Sequence, residues 1–161
     1  MGGGYSGGGS GSSYTYGGYL GLHELLSLQR DQDGISNDEM HFIVTHQTFE
    51  LWFKQVIREL REIRDILATE HVPEAQVPKA VEHLGRVTEI FRLLASQWKV
   101  METLTPQGFL AFRDGLGTAS GFESFQMREM EIILGLETVG RTSDMDPLGH
   151  FRKLATRGEK D

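Results

Sequence analysis

The chain has 161 residues, which is enough for one domain with a hydrophobic core, and 23 acidic against 16 basic residues give a formal net charge of −7. Because the two signs are interspersed, the charge pattern argues against a nucleic-acid-binding surface. The chain has no cysteine, which excludes disulfides, zinc–thiolate sites and thiol nucleophiles.

Nothing in the sequence resembles a targeting or membrane segment. No apolar run reaches the roughly 18 residues needed to span a bilayer. The first residues lack the basic and apolar regions of a secretory signal. The sequence therefore predicts a cytoplasmic protein that binds neither membrane nor nucleic acid.

The N-terminal segment, residues 1–18, is mostly Gly, Ser and Tyr, and its composition predicts a flexible arm. Three tyrosines fall within residues 14–19, and such a cluster can dock on a partner. The leucines that follow predict a first helix from about Tyr19 to Arg30. The run from Asp31 to Gly34 predicts its end.

Two long helices are predicted next, over about residues 36–70 and 78–102. Ser36 or Asn37 caps the first, and Pro78 suits the first turn of the second. In the first helix, apolar residues recur at alternating steps of four and three, which predicts a helix–helix seam. Its members are Phe42, His46, Phe49, Phe53, Val56, Leu60, Ile63 and Leu67.

The second long helix carries a similar apolar spacing, and we expect it to pack against the first. The residues of this second seam are Val77, Val81, Leu84, Phe91, Leu94, Trp98 and Met101. Trp98 and Met101 are interpreted as core residues rather than as part of a cofactor site. The charge run from Arg58 to Asp65 is interpreted as a solvated helix face with pairs at i,i+4.

Shorter elements complete the predicted bundle. Thr105 and Pro106 open a short helix that ends near Arg113. A glycine-rich loop follows, and Ser120 to Glu123 has the spacing of a capping box at the start of another helix. Residues 137–161 form a polar tail in which a last short helix is hinted at. No segment has the period of a strand, so the predicted class is an all-α helical bundle over residues 19–136.

His46 is the leading candidate for a functional side chain, because it interrupts an apolar seam. It is either a core histidine with satisfied nitrogens or a pocket histidine that acts as a hydrogen-bond partner or base. A ferritin-type di-iron site is not expected. Only the segment from Asp38 to His41 approaches the Glu-x-x-His spacing of such sites, and it lies in one helical turn.

Arg113 stands among apolar neighbours just before the glycine loop, which implies a carboxylate partner, either internal or on a ligand. Ser120 and Gly121 could hold an anion at a helix N-terminus, although a capping box explains the same residues.

Three segments together resemble the N-terminal half of the tryptophan 2,3-dioxygenases. They are Tyr16-Gly-Gly-Tyr-Leu-Gly-Leu22, Asp38-Glu-Met-His-Phe-Ile-Val-Thr-His-Gln-Thr-Phe-Glu-Leu-Trp-Phe-Lys54 and Phe109-Leu-Ala-Phe-Arg-Asp-Gly-Leu-Gly-Thr-Ala-Ser-Gly-Phe-Glu-Ser124. The resemblance covers about residues 14–136. It implies an all-helical, homo-oligomeric haem protein that uses O2 to convert L-tryptophan to N-formylkynurenine, the first step of tryptophan degradation.

The resemblance also implies roles for individual residues. His46 matches a distal histidine that bonds the indole N–H, and Phe42 matches a ring that packs on the substrate. Arg113 matches the arginine that pairs with the substrate carboxylate. The remaining matches are pocket residues, some of them from a neighbouring subunit: Tyr16, Tyr19, Leu20, Ser120 and Gly121.

The family's proximal haem ligand has no identifiable match in this sequence, and Glu123 stands where the family motif usually has glutamine. Two interpretations therefore stay open. The chain is a haem-dependent dioxygenase whose iron ligand comes from elsewhere, for example a complementing second chain. Alternatively it is a non-catalytic small-molecule-binding or oligomerisation domain, or a subunit of a related indole oxygenase.

Overall fold

The computed structural model describes residues 15–117 and 119–136 and divides the chain into two compact units, residues 1–35 and 36–161. Within the described residues all regular structure is helical and no strand occurs, so the predicted all-α class is confirmed. None of these helices combines the length and apolar character that a bilayer crossing requires. The predicted helix in the tail lies outside the described residues.

The first unit contains two short helices, α1 (Tyr16–Leu20) and α2 (Leu22–Leu25). They replace the single helix predicted over residues 19–30, because Gly21 adopts the left-handed conformation at φ +60° and interrupts the helical hydrogen bonding. Helix α1 also includes residues 16–18, which composition assigned to the arm. The predicted break is present as a short 3₁₀ turn, Asp31–Asp33.

The second unit is organised around one long helix, α3 (Asn37–Leu67). Three further helices pack against it: α4 (Val77–Met101), α5 (Pro106–Arg113) and α6 (Phe125–Ile133). The two long helices predicted over residues 36–70 and 78–102 thus correspond to α3 and α4.

Hydroxyl caps fix where three of these helices begin. Ser36, Thr105 and Ser124 each accept a hydrogen bond from the backbone amide three residues later, at 3.1, 3.0 and 3.1 Å. The first two caps are at the predicted positions. The third corrects a prediction: Ser120 precedes a single 3₁₀ turn, Gly121–Glu123, and α6 begins only after it.

The hydrophobic core of the second unit lies between α3, α4 and α6. Seven buried residues form it, and each is at most 5% exposed: Val56, Ile57, Leu60, Val87, Ile90, Leu94 and Met130. Aromatic residues of the predicted α3 seam, Phe49 and Phe53, are partly buried against this cluster. The α3 seam is therefore largely confirmed, although Leu67 at its end is 56% exposed.

The predicted seam of α4 is wrong for most of its members. Helix α4 packs on α3 through Val87, Ile90 and Leu94, whereas five of the predicted contacts are between 39% and 63% exposed. The exposed residues are Val77, Val81, Leu84, Phe91 and Trp98. Apolar residues occupy two faces of this helix, and a spacing rule alone does not say which face meets α3. Trp98 nevertheless contacts Phe49, with ring centroids 5.2 Å apart.

A buried carboxylate corrects the interpretation of the charge run in α3. Glu59 is 3% exposed rather than solvated. Its Oε1 accepts hydrogen bonds from Gln55 Nε2 at 2.5 Å and from Arg86 Nη1 at 2.8 Å, and its Oε2 accepts one from His83 Nδ1. Burial by itself raises the pKa of Glu59, but the hydrogen bonds from His83, Arg86 and Gln55 outweigh it, so that pKa lies below its ordinary value.

Replacing Leu94 by alanine should destabilise the protein by about 2–5 kcal/mol, because it leaves a cavity in the core. The same change at Leu84, which is 52% exposed, should cost less than about 1 kcal/mol. Urea denaturation followed by circular dichroism measures both. Equal losses for the two variants would contradict the assignment of the buried face of α4.

Glu59 should make the free energy of unfolding depend on pH. Because the pKa of Glu59 is lower in the folded state, its contribution is present above the unfolded-state value of about 4.3 and is lost as the pH falls through the folded-state value. Urea denaturation between pH 7 and pH 3 should therefore show a steeper loss for the wild type than for Glu59→Gln. Parallel curves would mean that the buried carboxylate is not ionised in the folded protein.

Candidate functional site

His46 lies in the third turn of α3 and is half-buried. Its ring is held by a hydrogen bond to the backbone of the same helix. Its Nδ1 is 2.8 Å from the carbonyl oxygen of Phe42, four residues earlier. A carbonyl oxygen can only accept, so Nδ1 carries a proton and donates it. In the neutral ring Nε2 then holds a lone pair, and it is an acceptor for an incoming N–H or O–H group.

Three phenylalanines form an aromatic cluster beside this histidine. The ring of Phe42 lies 4.1 Å from that of His46, centroid to centroid. It also lies 5.9 Å from Phe109 and 5.5 Å from Phe112, both on α5. Phe109 and Phe112 meet edge to face at 5.5 Å. Such contacts hold the rings in fixed orientations, so the N-terminal half of α3 and α5 present one continuous apolar wall.

Gly121 stands next to the free nitrogen of His46. A methyl group added at Gly121 would lie 4.0 Å from His46 Nε2. The residue belongs to the 3₁₀ turn before α6, which places that turn against α3. Because glycine has no side chain, the approach to Nε2 stays open there. Two of the residues selected from the sequence, His46 and Gly121, are thus brought together.

Arg113, at the end of α5, is half-buried and directly follows Phe112 of the aromatic cluster. Its Nη1 donates a hydrogen bond to the carbonyl oxygen of Gly117 at 3.0 Å. Of the two alternatives for its carboxylate partner, the internal one is not found among the described residues, where no ion pair to Arg113 forms. The guanidinium therefore keeps donors for an external anion.

The amide of Ser120 is already used within the loop. It donates to Oε2 of Glu123 at 3.1 Å, which is the backward half of a capping box. The sequence left a choice between an anion site and a capping box here, and the Ser120 amide takes part in the second. Glu123 thereby fixes the shape of the turn that carries Gly121.

Tyr16, Tyr19 and Leu20 belong to α1 in the first unit. Tyr16 is 78% exposed and Tyr19 is 74% exposed, while Leu20 is 45% exposed. Large apolar and aromatic side chains at this level of exposure are available to a partner.

Gly108 lies where α5 approaches the start of α3. A Cβ at this position would come within 2.3 Å of Asp38 Oδ2 and 3.2 Å of the capping oxygen Thr105 Oγ1. Glycine therefore lets Asp38 approach the first turn of α5 closely, where a negative charge is favourable. The contact joins the two helices whose aromatic rings form the wall beside His46.

Two open grooves on α3 are lined by residues other than those around His46. One, of about 770 Å³ between α3 and α4, is lined mainly by apolar residues such as Trp52, Ile90 and Leu93. The other, of about 650 Å³ between α3 and α6, is lined by charged residues including Lys54 and Arg58. Neither groove is lined by His46, Phe42 or Arg113.

The sequence did not single out four contributors to the site. Phe109 and Phe112 appeared only as apolar neighbours of Arg113, although their spacing of three on a short helix could have placed both on one face. The carbonyl of Gly117 had no detectable signal, because every residue has a carbonyl. Gly108 had none either, since its role depends on the distance between two helices.

Comparisons with known proteins agree on one family. The sequence model of the family described as tryptophan 2,3-dioxygenase matches residues 5–144. The chain is 45% identical over 137 residues to the tryptophan 2,3-dioxygenase of Aedes aegypti, covering 83% of this chain and 35% of that protein. It is 46% identical over 127 residues to tryptophan 2,3-dioxygenase 2 of Ralstonia nicotianae, covering 76% and 34%.

A third relative, the tryptophan 2,3-dioxygenase of Alteromonas mediterranea, is 42% identical over 147 residues, which cover 88% of this chain and 40% of that protein. The chain thus spans between about a third and two fifths of the length of these curated relatives.

The contact between Gly108 and Asp38 should appear in a double-mutant cycle. Alanine normally stabilises a helix relative to glycine by about 0.5–1 kcal/mol. Gly85→Ala in α4, where nothing lies within 4 Å, should show that gain. Gly108→Ala should not show it in the wild type but should recover it when Asp38 is also alanine. Urea denaturation gives all the values, and a gain from Gly108→Ala alone would refute the close approach.

Proposed function

Because the chain belongs to the tryptophan 2,3-dioxygenase family, we propose that it forms the substrate-facing half of a haem-dependent dioxygenase that converts L-tryptophan to N-formylkynurenine. The observation that carries this proposal is the orientation of His46, whose Nδ1 is held by the Phe42 carbonyl. That bond leaves Nε2 as an acceptor at an aromatic wall, which suits a flat apolar ring bearing one N–H group. The indole of tryptophan is such a ring.

In this proposal each group of the wall has one task. His46 Nε2 accepts the indole N–H, and the Phe42 ring packs against the indole face. Arg113 binds the substrate carboxylate through charge-assisted hydrogen bonds. Gly121 leaves room beside Nε2, and Ser120 lines the same turn. Together these groups orient the substrate, which can supply several kcal/mol of the barrier reduction.

Haem, when bound, supplies the activation of O2 in this reaction. Haem iron takes one axial side chain, commonly a histidine. Among the described residues His46 Nε2 is given to the substrate in this proposal, His41 Nε2 is buried, and His23 and His71 lie on the exposed surface. His83 Nδ1 donates to Glu59, and His83 Nε2 is buried. We therefore assign the iron ligand to polypeptide outside the described residues, and assign no step through the iron to this chain.

We further propose that Tyr16, Tyr19 and Leu20 close the pocket of a neighbouring subunit in a homo-oligomer. Their exposure supports this role, since two tyrosines more than 70% exposed gain by burial against a partner. We also propose a cytoplasmic location for the protein.

A second candidate is a non-catalytic tryptophan-binding or oligomerisation domain. The exposed apolar face of α4, with Leu84, Phe91 and Trp98, favours it, because such a face normally meets a partner. In this case the wall beside His46 would bind an indole without any haem chemistry.

Titration with hemin distinguishes the two candidates. The purified chain is titrated with hemin in the presence of imidazole, which replaces the axial ligand that lies outside the described residues. Absorption spectra are recorded first without and then with L-tryptophan. The dioxygenase proposal predicts a Soret band that shifts when tryptophan is added and that fails to shift in His46→Ala. Tryptophan binding with no haem-dependent spectral change would support the non-catalytic domain instead.

His46→Ala should weaken L-tryptophan binding by about fivefold, the equivalent of one hydrogen bond of about 1 kcal/mol. It should leave the binding of 1-methyl-L-tryptophan unchanged, because that analogue has no indole N–H to donate. Calorimetric titration of both ligands measures the difference, with the exposed His71→Ala as the control. An equal loss for both ligands would mean that His46 does not accept the indole N–H.

A further inference from the structure

Gly117 has a backbone conformation that only glycine adopts readily, at φ +57° and ψ −124°. Its amide donates to the carbonyl of Asp114 at 3.3 Å, closing a short turn after α5. In this conformation the Gly117 carbonyl points back to the helix end, where it accepts the 3.0 Å hydrogen bond from Arg113 Nη1.

This bond involves only Nη1 of the guanidinium. Arginine has five N–H donors in a planar fork, and Nε and Nη2 together form the side edge that binds a carboxylate with two parallel hydrogen bonds. Because Gly117 engages Nη1, the side edge keeps both of its donors. Among the described residues, the Gly117 carbonyl is the one hydrogen-bond acceptor found for Arg113.

The bond also reduces the freedom of the side chain. An arginine side chain loses rotamer entropy when it is fixed, and a guanidinium already held by a carbonyl has less to lose on binding. Gly115, two residues earlier, has no such role: its φ is not positive and nothing lies within 4 Å of a methyl group placed there.

From these observations we propose that Gly117 is a positioning residue for carboxylate recognition: its carbonyl holds Arg113 so that the Nε–Nη2 edge faces the carboxylate of an amino-acid substrate. The inference rests on the proposed function, because it takes the substrate to be an α-amino acid. It adds that selectivity for the carboxylate depends on a main-chain atom in the turn after α5.

The test compares L-tryptophan with tryptamine, which has the same indole and ammonium groups but no carboxylate. Calorimetric titration of the full chain should give the wild type about a 10- to 100-fold preference for tryptophan, as expected for hydrogen bonds to a charged group. Gly117→Ala should lose most of that preference while its affinity for tryptamine is unchanged. Gly117→Asn should be intermediate, since asparagine tolerates positive φ better than alanine.

Two controls separate positioning from general strain. Gly115→Ala lies in the same turn without a positive φ, and Gly135→Ala introduces a positive-φ strain beyond α6, at φ +66°. Both should keep the preference for tryptophan. A variant that merely loosens the fold would weaken tryptophan and tryptamine together.

Different results would contradict the proposed role of Gly117 and the proposed function. If Arg113→Ala abolishes the preference and Gly117→Ala keeps it, Gly117 does not position Arg113 and the proposed function stands. If the wild type itself shows no preference for tryptophan over tryptamine, the assigned role of Arg113 is wrong and the inference fails with it.

Discussion

The unbroken length of α3 is the constraint on which the rest of the second unit depends. Over 31 residues it packs against α4, α5 and α6, and it holds the buried carboxylate Glu59 in its C-terminal half. The same helix anchors the ring of His46 through its own backbone, at Phe42. Core and candidate site therefore share one rigid element, and a change in the direction of α3 would move both.

Local chemistry predicted much of this fold. The caps at Ser36 and Thr105 and the proline-led start of α5 act within one helical turn, so the sequence alone identifies them. The face that α4 buries could not be identified in the same way. That helix has two apolar faces, and only the position of α3 decides that Leu94 is buried while Leu84 is exposed. The burial of Glu59 depends on α4 for the same reason.

As with the fold, the sequence identified only part of the candidate site. His46 and Arg113 stand out by residue type and position, whereas Phe42 is matched to the site only through the resemblance to the family. The structure places Phe42, His46 and the residues around Arg113 close together. The contributions of Gly108 and of the Gly117 carbonyl depend on distances between segments and on backbone angles. A sequence pattern does not encode such quantities directly. In the proposed function the wall beside His46 binds an indole and a carboxylate. The chain that builds it spans about a third of the length of relatives such as the Aedes aegypti protein.

The proposed function depends most directly on which ring nitrogen of His46 is free to accept a hydrogen bond. Long-range ¹H–¹⁵N correlation spectroscopy of the ¹⁵N-labelled protein reports which ring nitrogen carries the proton in the neutral state. The proposed function predicts that His46 is protonated at Nδ1. Its Nε2 resonance should shift when L-tryptophan is added and should not shift with 1-methyl-L-tryptophan. A ring protonated at Nε2 would contradict it, because that nitrogen could not accept the indole N–H.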